Sequence, residues 1–148
     1  MMATWCGIGY AVWSAQFSQK THVIVQTQKE DKVVELIKGV DAPGYTRTLY
    51  EQQPEWLREE FPLARRLADQ PQTRITWAHG SEVQGVPRGA DQIRQPHPTL
   101  VLFDEAAHLD EFEAAYGNAD LVSTQVIAIS SAGPGWFGDV VTDERMEV

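Results

Sequence analysis

Leu100-Val-Leu-Phe103, followed at once by Asp104 and Glu105, constrains this chain more than any other stretch. Four consecutive apolar residues leave no polar face for solvent. They read as a strand buried on both sides, as the inner strands of a parallel sheet are. In an open α/β sheet, ligands bind just beyond the carboxyl ends of the strands, where the two carboxylates fall. Such an acidic pair has two readings. It can hold a divalent cation through oxygen ligands while its second member polarises a water. It can also simply open a helix, whose first turn favours negative charge.

Length and composition narrow the class. At 148 residues the chain is one domain, long enough to bury roughly two-thirds of its unfolded surface. Hydrophobic content of 43% with 22% charge is that of a globular protein rather than a disordered or membrane one. No apolar stretch reaches the about 18 residues that a spanning helix needs. The opening Met-Met-Ala-Thr-Trp-Cys6 has no basic start, so no secretory signal is expected. The single cysteine, Cys6, excludes an internal disulfide and suits a cytosolic setting. A net charge of −9, from 21 acidic against 12 basic residues, argues against a surface that coats nucleic acid, because phosphate affinity comes from Lys and Arg. A local basic strip remains: Arg65, Arg66, Arg74, Arg88 and Arg94 fall in the middle third.

The rest of the chain alternates. Residues 3–17 are almost uncharged, with Trp5, Ile8, Val12 and Ala15 at helical spacing, and read as a helix buried on most sides despite Gly7 and Gly9. Residues 21–27 read as a strand centred on Val23, Ile24 and Val25. Residues 28–38 read as an amphipathic helix stopped by Gly39, which completes half of a βαβ unit. From 41 to 72 the pattern loosens into turns and short helices, one opened by Pro54, as an insertion at the sheet's edge. A strand at 73–78 follows, then a turn-rich loop at 81–94 that carries Arg88 and Arg94. The apolar strand at 99–103 leads to a helix at 109–119, with Phe112 and Tyr116 four apart. A buried strand at 124–130 runs into Ser130-Ser-Ala-Gly-Pro-Gly135, and a last helix begins at 136. This alternation predicts an α/β fold, a mostly parallel sheet with helices on both faces. His22, His79 and His97 show no ligand spacing with one another or with Cys6, so no zinc site is expected. His108 reads as a residue that packs or hydrogen-bonds locally.

Four stretches, taken in order, resemble a known family: residues 23–28, the Gln84-Gly-Val-Pro-Arg-Gly-Ala-Asp-Gln-Ile-Arg94 loop, Leu100-Val-Leu-Phe-Asp-Glu-Ala-Ala-His108, and Ile127-Ala-Ile-Ser-Ser-Ala-Gly-Pro134. Together they resemble the ATPase half of the large terminase subunit of tailed bacteriophages, the DNA-packaging motor. The resemblance covers most of the chain and implies a P-loop-NTPase-like, ASCE-type sheet that uses ATP and Mg²⁺. It makes Asp104 the Walker B metal residue and Glu105 the catalytic carboxylate. Ser130, Ser131 and Ala132 match the family's coupling motif, which senses the γ-phosphate. Arg94 stands where a trans-acting arginine finger has been proposed. Thr4, in Met2-Ala-Thr4-Trp5, matches the hydroxyl that ends a degenerate phosphate loop.

The family pattern is incomplete. The chain contains no G-x-x-x-x-G-K followed by Ser or Thr, the loop whose amides and lysine cradle phosphates. The resemblance therefore implies that 1–148 is a partial ATPase domain, without the first strand and P-loop, without the nuclease domain, and inactive alone. It also implies double-stranded DNA, a portal protein and a small terminase subunit as partners. Further copies would form a ring, in the cytoplasm of an infected bacterial host and without a membrane. Two other readings stand beside it. A superfamily-2 helicase has a DEAH box, but the extra alanine carries His108 one residue late, about 100° round a helix. A non-catalytic α/β module would bind nucleotide weakly, or only a partner protein.

Overall fold

The computed structural model describes residues 2–89, 93, 97–133 and 135–142. Among these residues five strands form one sheet: β1 (His22–Gln26), β2 (Arg74–Thr76), β3 (Glu82–Val86), β4 (Leu100–Asp104) and β5 (Gln125–Ile129), in the order β2-β3-β1-β4-β5. β1 pairs in parallel with β3 on one side and β4 on the other, and β5 adds in parallel to β4. Only β2 runs antiparallel. Successive strand residues face opposite ways, and β4 is buried in both directions, all five residues of it. Leu100 and Leu102 join Val23 and Val25 in one core, whereas Val101 and Phe103 join Ile24 in the other.

Helices cover both faces. On the first lie α1 (Met2–Phe17), α2 (Glu30–Leu36) and α3 (Tyr45–Glu51), which contribute Ile8, Ala11, Leu36 and Tyr50. On the second lie α5 (Phe112–Val122) and α6 (Trp136–Thr142), through Phe112, Ala115 and Ala119 with Trp136 and Phe137 against them. α4 (Glu55–Glu60) and a 3-10 turn at Leu67–Asp69 belong to the insertion, which runs along the β2 edge where Leu63 bridges Trp77. Buried Lys38 pins that insertion: its Nζ donates to the carbonyl of Gln70 at 2.7 Å.

Two glycines set how near the helices of the first face come to the sheet. A Cβ at Gly7 of α1 would lie 2.5 Å from Ile129 Cδ1 and 3.2 Å from Leu102. A Cβ at Gly85 of β3 would lie 2.5 Å from Val33 Cγ1 and 2.9 Å from Ile37 Cγ1. Glycine weakens a helix by about 1 kcal/mol relative to alanine; here it lets α1 rest on β4 and β5. Both helices thus start close to the carboxyl ends of the strands.

The expected strands at 22–27, 73–78, 99–103 and 124–130 are present. Three expectations are corrected. Residues 81–94, read as a loop, contain β3, where Gly85 serves the approach of α2 rather than a turn. α1 buries one side rather than most: Trp13 and Phe17 are 58% and 46% exposed, and their rings pair instead with Tyr10 and Phe61. β5, read as buried, is one of the sheet's two edge strands among the described residues and is only half-buried. No helix among the described residues is long and apolar enough to cross a membrane.

Candidate nucleotide site

The tip of β4 gathers residues from both ends of the chain. Asp104, on the same side of the strand as Leu102, is 2% exposed. Its Oδ1 accepts a hydrogen bond from the Thr4 hydroxyl at 2.9 Å, across 100 positions of sequence. Thr4 lies in the first turn of α1, so the close approach of that helix delivers the hydroxyl. The next residue behaves in the opposite way. Glu105 is exposed and adopts left-handed backbone, φ 53 and ψ 46. That conformation strains a residue with a Cβ by about 1–2 kcal/mol. It is held by buried Asp104 before it and by the 3-10 turn Ala106–His108 after it, closed by His108 N–H donating to Glu105 O at 2.9 Å.

A cleft of about 470 Å³ opens between this tip and the turn from β1 into α2. Thr27, Gln28, Lys29 and Lys32 line one side, and Glu105 and His108 the other. The Ser130–Ser131 turn after β5 lies behind it. Ser130 Oγ accepts from the Ala107 amide at 3.0 Å, and Ser131 Oγ is 3.4 Å from His108 Nε2. The two serines therefore hold the segment that follows Glu105 and do not line the cleft. Ala132 is an exposed bend beyond them. Arg94 lies outside the described residues. Arg88 is drawn away, paired with Asp110 at 2.6 Å on the surface. The sequence reading missed the Thr27–Lys32 wall. Its signal was the same one that marked Asp104: a loop at the carboxyl end of a buried parallel strand.

Burial pushes the Asp104 carboxyl above the ordinary aspartate range, and the Glu105 charge adds to this. The Thr4 hydrogen bond and the Lys32 ammonium oppose it without cancelling it. A carboxyl raised by folding stabilises the fold at acid pH, and that contribution is lost as pH rises through the folded value. The burial of Asp104 thus costs the fold stability at neutral pH relative to acid pH. Asp104→Asn keeps an acceptor for Thr4, and it is expected to raise the urea midpoint at neutral pH. The gain should shrink toward zero below about pH 4, the unperturbed aspartate range. A midpoint that falls at neutral pH would contradict this.

Asp104, Glu105 and the Thr4 hydroxyl offer hard oxygen donors. The described residues contain no group of three or more His, Cys, Asp or Glu that could cage a metal ion. Such a set fits Mg²⁺, which keeps waters and binds through one or two carboxylates plus substrate phosphates.

No family model matches the chain, and no curated protein matches its sequence. Solved structures do. A variant of the large terminase ATPase domain of Thermus phage P74-26 superposes with a TM-score of 0.57 at 17% identity, over 86% of this chain and 54% of that one. The large terminase of a second, thermophilic bacteriophage does so with a TM-score of 0.50 at 18% identity, over 90% of this chain and 32% of that one. The chain spans about half or less of the length of these proteins. It has the fold of the ATPase domain of phage large terminases.

Proposed function

We propose that this chain is the nucleotide-binding part of a terminase-like motor ATPase, working on ATP and Mg²⁺. The observation that carries the reading is the Thr4–Asp104 hydrogen bond, which joins the start of α1 to the tip of β4 beside the cleft. Asp104 and Thr4 would hold the magnesium ion of Mg-ATP, which neutralises phosphate charge when bound. Glu105, exposed on its left-handed shoulder, is the group suited to take a proton from the attacking water. Ser130, Ser131 and Ala132 form the coupling turn. Through Ala107 and His108, Ser130 and Ser131 grip the segment that follows Glu105, so a movement of that segment with phosphate occupancy would alter their partners. Arg94 would contact a phosphate of its own or a neighbouring subunit's nucleotide.

By likeness of fold, the motor would work on double-stranded DNA with a portal protein, a small terminase subunit and further copies in a ring, inside the infected host's cytoplasm. With a net charge of −9, the domain would need its local arginines, or another part of the motor, to grip DNA. One observation favours a second reading, a non-catalytic nucleotide-binding module: the absence of a glycine-rich loop ending in Lys and Ser or Thr.

Binding tests both readings. In an NMR titration of the isotope-labelled chain, Mg-ATP is expected to shift resonances of Thr4, Thr27–Lys32 and Asp104–His108, weakly but saturably. Asp104→Asn should remove the response while the rest of the spectrum keeps its dispersion. A wild-type chain with no Mg²⁺-dependent response would overturn the proposal.

A further inference from the structure

We infer that Lys32 is the phosphate-binding cation of the cleft, reaching the nucleotide from the β1–α2 side. This inference rests on the nucleotide reading above. Mg-ATP remains an anion, and the cleft already holds the carboxylates of Asp31 and Glu105. Among the described lining residues the fixed positive charges are Lys29 and Lys32, with no arginine. Of these, Lys32 is the one whose charge registers at buried Asp104.

The stem of Lys32 begins at a fixed point. The next residue, Val33, is buried and pressed against Gly85 of β3. The head is not committed elsewhere: Nζ lies 3.3 Å from Glu35, with the two side chains 29% and 52% exposed. An exposed i,i+3 ion pair of this kind is weak and is readily exchanged for a phosphate. Burial opposes the charge on Lys32, but Glu35, Tyr45 and Asp104 together raise its pKa, so it stays an ammonium at neutral pH. Lysine is a compact charge on a flexible stem, able to turn from Glu35 to a phosphate oxygen a few ångströms away.

The test titrates the labelled chain with Mg-ATP and, separately, with AMP. Lys32→Ala is expected to weaken Mg-ATP about tenfold, the scale of one charged hydrogen bond, and to leave AMP unchanged. Lys32→Arg should stay within about threefold of wild type, because charge and reach are kept. Glu35→Gln frees the ammonium and should tighten Mg-ATP, whereas a merely structural Lys32–Glu35 pair would loosen it. Unchanged Mg-ATP affinity in Lys32→Ala, with Asp104→Asn still abolishing the response, overturns the role of Lys32 alone. No saturable response in wild type overturns the nucleotide reading and this inference together.

Discussion

The 148-residue chain is expected to hydrolyse ATP at close to the uncatalysed rate. The same chain, extended before Thr4 by a strand and a glycine-rich loop carrying a basic residue, is expected to turn ATP over. Phosphoryl transfer depends almost wholly on positioning and charge stabilisation, and there is little covalent chemistry for the protein to do. On the proposed reading Asp104, Thr4 and Glu105 would address the metal and the water, but this sequence contains no G-x-x-x-x-G-K followed by Ser or Thr to cradle the phosphates. One missing charge-stabilising arginine is worth ~10³–10⁵ in rate in related chemistry, so a whole missing cradle should be decisive. In the extended protein, Glu105→Gln should lower turnover by about 10²–10⁴, the usual share of a general base, with Mg-ATP binding preserved. A coupled assay for released phosphate, run on all three proteins, reads this directly. Robust turnover by the short chain would mean that another stretch cradles the phosphates. Silence from the extended chain would favour the non-catalytic module.

Phe103→Ala should be among the most damaging core substitutions. Phe103 is 0% exposed, and its ring meets Phe112 edge-on at 5.1 Å and 87°. Phe112 in turn packs against Tyr116, Trp136 and Phe137. Deleting a buried phenyl ring typically costs about 3–5 kcal/mol. Against a total stability of about 5–15 kcal/mol, that is a large share. It should lower the melting temperature by roughly 6–20 °C. Phe103→Leu should lose much less, since leucine fills part of the space. A thermal or urea melt decides it: a loss under about 1 kcal/mol would mean that α5 and α6 do not pack on β4 as described. The change also acts on the site, because Phe103 anchors the strand that presents Asp104.

β4 and its tip were legible in the sequence because burial on both faces leaves a continuous apolar run, here short, with Val101 and Phe103 in it and bounded by polar residues, as a buried strand is. Thr4 was recognisable only through resemblance; its hydrogen bond to Asp104 is a tertiary fact. β3 was hidden by Gly85 and Pro87, which locally spell a turn. Gly85 is instead required by Val33 and Ile37, some fifty residues earlier, and no window of neighbouring residues contains that contact. The same limit hid Lys32. A lysine on an amphipathic helix reads as a solvated face until the turn from β1 is set beside Glu105. The aromatic residues of α1 misled in the other direction: hydrophobicity all round suggested burial, but Trp13 and Phe17 find other rings near the surface.

The Thr4–Asp104 hydrogen bond has a consequence for biosynthesis. Ribosomes add about 5–20 residues each second. The 100 positions between its partners therefore amount to roughly 5–20 s during which α1 exists without β4 or β5. Through that interval the apolar side of α1, with Ile8, Ala11, Val12 and Ala15, can meet β1, α3 and then β3 as they emerge, but the part that rests on β4 and β5, around Gly7, stays uncovered. Parallel pairing closes long loops before it gains contacts, so it is slow by nature and exposed to aggregation. α1 therefore completes its seat on the sheet only when β4 and β5 have been made.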